Sequence, residues 1–175
     1  MGCEMAEIKL NLGCSTDLKP GYLNVDCEPF GAYPDTAPYQ QANLDSPWPW
    51  EDSSVDEIYA HDVFEHLLGG KIWAMNEAHR VLKPGGLLDL AVPCVYLADG
   101  TVNPGAFSDP THCSYWTLDD RYYYGVEWNN PQGERGRLGP AYGITALFSG
   151  RWELREYGTG PERRSKIFAK LRAVK

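Results

Sequence analysis

Gly13 and Asp26 end two short apolar runs, Ile8–Leu12 and Tyr22–Val25, and their spacing suits them to one ligand. A glycine without Cβ lets backbone amides approach a bound molecule closely. A carboxylate that only accepts hydrogen bonds suits a pair of hydroxyls. Strand, glycine turn, strand, acid is the skeleton of a nucleoside site at the carboxyl ends of an open α/β sheet.

A second polar cluster is Asp109-Pro-Thr-His-Cys-Ser-Tyr-Trp116. His112 there could serve as general base for a hydroxyl or amine nucleophile, since its ordinary pKa lies near operating pH. It could equally fasten the surrounding aromatic segment to the sheet. Glu65 and His66 resemble an acid–base pair, but Asp62 stands three residues before Glu65, the spacing of a capping box, which favours a structural role. Cys94, His112 and the adjacent Cys113 lack the paired spacing of a zinc site, so no metal is expected.

The elements that must position these groups follow from periodicity. Strands are expected at Ile8–Cys14, Leu23–Cys27, Gln40–Leu44 and Val55–Ala60. Only ten residues separate Gly13 from Asn24, too few for the crossover helix that parallel neighbours normally need, so at most one helical turn fits. A short helix is expected at Val63–Leu68. The strongest helix is Lys71–Leu82, with Ile72, Met75, Ala78 and Leu82 on one face and Glu77, Arg80 and Lys83 off it. Pro84-Gly85-Gly86 ends it, and Leu87–Val92 reads as a buried strand. Residues 94–150 hold 10 of the 22 aromatics and 8 of the 18 glycines, the texture of an inserted lid or substrate wall, with a helical piece at Leu118–Tyr124 capped by Thr117. Trp152–Tyr157 and Lys166–Val174 read as two closing strands.

Residues 1–150 carry 8 Lys/Arg against 21 Asp/Glu, and 151–175 carry 8 against 3. The acidic body disfavours nucleic acid, which needs clustered cations to release counterions. Arg163, Arg164, Lys166 and Lys170 fit a solvated face of terminal strands better than an anion patch. Five cysteines without a C-x-x-C pair, and no signal peptide, point to free thiols in a cytoplasmic setting. No apolar run is long enough to cross a membrane.

Leu10-Asn-Leu-Gly-Cys14, Asn24-Val-Asp26, Ser54-Val-Asp-Glu-Ile-Tyr59, Glu65-His-Leu67 and Glu77-Ala-His-Arg-Val-Leu-Lys-Pro-Gly-Gly-Leu87 together resemble the class I S-adenosylmethionine-dependent methyltransferases, in the right order over residues 8–93. The resemblance implies a single domain over 1–175 with a Rossmann-like, doubly wound, mostly parallel sheet and an antiparallel last strand. The family's usual first helix is missing. It further implies that Asn11, Gly13, Cys14 and Ser15 line the methionine end of the cofactor, Ser15 and Thr16 supplying amides in place of the missing helix. Asp26 takes the ribose hydroxyls, Asn43 and Leu44 border the adenine, and His61 and Asp62 lie beneath the sulfonium. Catalytic candidates are His112 and His61, acting on a small-molecule or sugar acceptor. A non-catalytic module keeping the same scaffold is the alternative. With few helices before residue 60, one sheet face needs the aromatic insert or a second copy in a homodimer to cover it.

Overall fold

The computed structural model describes residues 7–29, 31–120, 151–160 and 163–175. Seven strands, β1 Lys9–Leu12, β2 Leu23–Asp26, β3 Tyr39–Gln41, β4 Val55–His61, β5 Leu82–Pro93, β6 Arg151–Gly160 and β7 Arg163–Val174, form one sheet in the order β3-β2-β1-β4-β5-β7-β6. The pairs among β1 to β5 are parallel, and β7 is antiparallel to both neighbours. This is the Rossmann-like sheet with an antiparallel last strand that the sequence implied. Strand order reverses between β1 and β4, so a crevice opens at their carboxyl ends.

No helix links β1 to β2. Two buried asparagines fasten the short crossover instead. Asn11 Nδ2 donates to the Asp17 carbonyl and to Asn24 Oδ1, both at 2.8 Å, and the Lys19 N–H donates to the same Asn24 oxygen at 2.8 Å. Asn24 is fully buried, so its amide turns a polar side chain into the anchor of a chain reversal.

Helix α1, Gly70–Val81, supplies Ala74, Met75, Ala78 and Val81 to a core that also holds Leu10, Leu12, Ile58, Ala60, Leu88, Leu90, Ile167 and Leu171. Alternate residues on the opposite sheet face, Glu57, Tyr59, His61 and Asp89, are only partly buried. Pro84-Gly85-Gly86 makes a slip in register, Val55 facing Leu82 and Glu57 facing Leu87, before β5 continues.

Three local expectations change. Glu77 is buried rather than on the helix surface, because Arg80 and the Trp48 N–H satisfy its carboxylate. The third strand stops at Gln41, leaving Asn43 and Leu44 in the following turn. Near the insert, the described part of the last expected helix is a 3-10 turn, Leu118–Asp120, whose cap runs in reverse: the Asp120 carboxylate accepts the Thr117 N–H at 2.7 Å. The remainder of that helix lies outside the described residues.

The described start of the insert returns to the sheet through a parallel bridge between Cys94 and Trp116. Cys14, Cys27, Cys94 and Cys113 are free thiols. No described helix is long and apolar enough to cross a membrane.

Candidate active site

The loop after β1 and the acid ending β2 meet directly. Asp26 Oδ2 accepts the Ser15 N–H at 2.9 Å, and Oδ1 accepts the Cys27 N–H at 2.7 Å. The two backbone amides use only part of the acceptor capacity of Asp26, which keeps room for another donor. The Ser15 N–H is thereby given to Asp26. Cys14 is buried beneath the loop. Burial, and then the Asp26 charge, push its thiol up to about 11, so it stays protonated and inert.

Gly13 adopts φ 60°, the left-handed region, and a Cβ there would stand 2.5 Å from Val63 Cγ2. The glycine is thus required by its backbone and by the side chain that follows β4. The contact brings the ends of β1 and β4 together at the crevice. Gly13→Ala should cost about 1–2 kcal/mol from the left-handed backbone alone, plus the displacement of Val63. Val63→Ala should recover part of that second cost in the double variant, as read by urea unfolding. A neutral Gly13→Ala would refute the geometry.

At the end of β4, His61 stacks on Tyr59 with ring centroids 3.8 Å apart, and its Nε2 meets Asp89 Oδ1 at 2.9 Å. The imidazole is tied to the sheet face. Asp62 has φ 57°, donates its N–H to the Ala91 carbonyl at 2.8 Å and pairs with Lys166. That pair accounts for one residue of the basic tail.

Asn43 and Leu44 reach the same edge because the Ala42 N–H donates to the Asp26 carbonyl at 2.9 Å. Asn43 Oδ1 caps the Asp45 N–H at 2.9 Å. The Leu44 carbonyl accepts two indole N–H groups, from Trp48 at 3.1 Å and Trp73 at 2.9 Å, which fixes the turn on α1.

The expected capping box is absent. The residue before the 3-10 turn Phe64–His66 is Val63, no side chain caps it, and both Glu65 carboxylate oxygens are buried without a hydrogen-bond partner. The strap carrying His112 is pinned here instead, since the Glu65 carbonyl accepts the Cys113 N–H at 2.6 Å and the Ser114 N–H at 3.2 Å. His112 Nδ1 faces the Ala106 carbonyl at 2.9 Å, which can only accept, so Nδ1 carries the proton and Nε2 keeps its lone pair. The rings of His66 and His112 lie 4.8 Å apart, edge to face. Burial pushes Glu65 up to about 7. Sequence spacing misses this assembly, because Glu65 and His112 meet only through the backbone pinning. His79, on α1, sets its Nε2 3.1 Å from the Val174 carbonyl and joins the helix to the last strand.

Residues 10–90 match the family described as a methyltransferase domain. A search of curated proteins finds no sequence match. Among solved structures, the chain is similar to one in the complex between the Haloferax volcanii Trm112 methyltransferase activator and its candidate methyltransferase, with TM-score 0.64 and 14% identity, covering 100% of this chain and 86% of that one. It is similar to an S-adenosylmethionine-dependent methyltransferase from Mesorhizobium loti, with TM-score 0.54, 13% identity and coverage of 98% and 93%. A Haemonchus contortus phosphoethanolamine N-methyltransferase, solved with phosphoethanolamine and S-adenosylhomocysteine, gives TM-score 0.60 at 13% identity, covering 99% of this chain and 40% of that one.

Proposed function

We propose that the chain is a class I methyltransferase that binds S-adenosylmethionine and methylates a small-molecule or sugar acceptor, a reading supported by the methyltransferase-domain match over residues 10–90 and by the fold. The observation that carries the reading is the Ser15–Asp26 hydrogen bond, which sets a glycine loop and a carboxylate with spare lone pairs at one end of the crevice. The residues fit the cofactor at its ribose end, where Asp26 would accept from the two hydroxyls. Gly13 would border the methionine portion, with Asn11 and Cys14 holding the loop from below. Asn43 and Leu44 would border the adenine, and His61 and Asp62 the space beneath the sulfur.

When bound, the cofactor supplies a methyl group on a sulfonium, already a strong electrophile. The chain's own task is to align an O, N or C nucleophile at close range, the source of most of the rate. A proton acceptor is at hand in the Nε2 lone pair of His112, whereas Asp89 occupies His61. The acidic body and the free thiols support a cytoplasmic enzyme without a nucleic-acid substrate. The partly exposed Tyr59–Asp89 face is where the insert or a second copy would pack.

Calorimetric titration with S-adenosylmethionine and S-adenosylhomocysteine tests the reading. Both should bind, and Asp26→Ala should weaken each by at least ~1.5 kcal/mol, roughly tenfold, the scale of a hydrogen bond to a charged group. Unchanged affinity removes Asp26 from the site. Absence of heat with both ligands leaves the scaffold without the enzyme.

A further inference from the structure

Glu65 is an anomaly that the methyl-transfer reading leaves unexplained. Its side chain is 1% exposed, yet neither carboxylate oxygen has a hydrogen-bond partner. A buried carboxylate without a partner is costly, and a native structure keeps one where something else is meant to meet it.

Two imidazoles face the same place. One ligand atom from each of Glu65, His66 and His112 lies within 4.8 Å of the others. Their surroundings fix both histidine tautomers. The Thr111 hydroxyl donates to Asp109 Oδ1 at 2.6 Å, so at its 2.8 Å contact with His66 Nδ1 it can only accept. The His66 Nδ1 therefore carries the proton, as His112 Nδ1 does against the Ala106 carbonyl. Both Nε2 atoms are left as lone-pair donors. Orienting each imidazole through its outer N–H, by a carbonyl or by a hydroxyl backed by a carboxylate, is how proteins prepare histidines to ligate metals. Asp109 completes the arrangement, its Oδ2 lying 4.0 Å from His112 Nε2.

We propose that Glu65, His66 and His112 form a site for one divalent transition-metal cation, a two-histidine, one-carboxylate set with positions left open for an oxygen ligand. Three protein ligands on a first-row metal leave room for further donors. A first-row cation held here would take ligand bonds of about 2.0–2.2 Å. Glu65 follows by two residues Val63, whose side chain touches the Gly13 position at the end of β1. The oxygen ligand is then the hydroxyl of the methyl acceptor, an assignment that rests on the methyltransferase reading. A cation held there would lower the pKa of the acceptor hydroxyl, whose proton would pass to water, while the oxygen would take the methyl group as the sulfur–methyl bond breaks and the cofactor leaves as the neutral thioether. The His112 lone pair serves as ligand in that state rather than as base.

The metal-free chain of 175 residues, without cofactor, is titrated with Co2+ and with Mn2+. The expected result is one equivalent bound, with visible Co2+ absorption bands. Glu65→Gln, His66→Ala and His112→Ala should each weaken binding at least about tenfold, while Cys113→Ser leaves it unchanged. Far-UV circular dichroism checks each variant. Because Glu65→Gln preserves shape, it keeps the test decisive should an alanine variant unfold. No binding, equal affinity in Glu65→Gln and parent, or loss confined to Cys113→Ser would overturn the site. Metal binding without any S-adenosylmethionine binding would uphold the site and remove the acceptor role. The converse would uphold the methyltransferase reading and remove the metal.

Discussion

Arg80→Ala should lower the unfolding free energy by about 2–3 kcal/mol, because the buried Glu77 carboxylate loses a partner that is itself partly exposed. Arg80 grips Glu77 with two parallel bonds of 2.8 Å, from Nε to Oε1 and from Nη2 to Oε2. Its remaining hydrogens go to the Trp48 and Trp50 carbonyls, both at 3.0 Å, and to Asp52 at 2.8 Å. The Trp48 N–H donates back to Glu77 at 2.8 Å. Alanine would strand a buried carboxylate and two loop carbonyls together.

The pH dependence gives the sign. Hydrogen bonding to Arg80 is the largest influence on Glu77 and holds its carboxyl below the usual range, against burial. Its stabilisation is therefore present above the ordinary glutamate pKa and lost as pH falls through the lower folded value. In Arg80→Ala burial is opposed chiefly by the Trp48 N–H, and Glu77 rises relative to the parent, so the deficit measured in urea at pH 7 should shrink at pH 4. Glu77→Gln in the Arg80→Ala background should recover part of the loss, since it removes the stranded charge. A deficit below about 1 kcal/mol at pH 7 would place the pair with ordinary surface ion pairs. Because the same loop carries Trp48, whose indole holds the Leu44 carbonyl, the variant should also bind S-adenosylmethionine less tightly.

Sheet and helix were legible where local pattern and burial agree. β1, β2, β4, α1 and β5 each present a complete apolar run or face, and ten residues between Gly13 and Asn24 excluded a helix by length alone. What pattern cannot carry is a partner distant in sequence. Asp62 and Glu65 have capping-box spacing, but Asp62 bonds Lys166, 104 residues away, and takes a left-handed backbone instead. Glu77 has a surface residue's type and an interior residue's place because Arg80 and the Trp48 amide neutralise it. The placement of β7 between β5 and β6, and the delivery of His112 to Glu65, depend on pairings with no local mark. Gly13 shows the opposite limit: its need for glycine was visible, but the atom demanding it is Val63 Cγ2.

Glu65→Gln should be more stable than the parent at pH 8 and no different at pH 4. Burial is the largest influence on Glu65; Asp62 and Asp109 push the same way, and its own amide and Lys166 oppose them, leaving the carboxyl at about 7. A folded pKa raised above the unfolded one means that Glu65's contribution is full below the ordinary value near 4.5 and is lost as pH rises through 7. At 1.36 kcal/mol per pKa unit, the difference between variant and parent should reach about 3 kcal/mol by pH 8. Glutamine keeps the shape and has no charge to bury, so its stability should lack this sloping segment. His66 and His112 are retained in both proteins, so their contribution cancels to first order in the comparison. Divalent cation sharpens the test. Bound to a carboxylate and two neutral imidazoles, Co2+ should abolish the parent's loss between pH 6 and 8 by mass action on the folded state, and should leave Glu65→Gln nearly unmoved. A parent whose stability is flat across that range without metal would mean that Glu65 is already paired, and the reason for expecting a cation beside it would disappear.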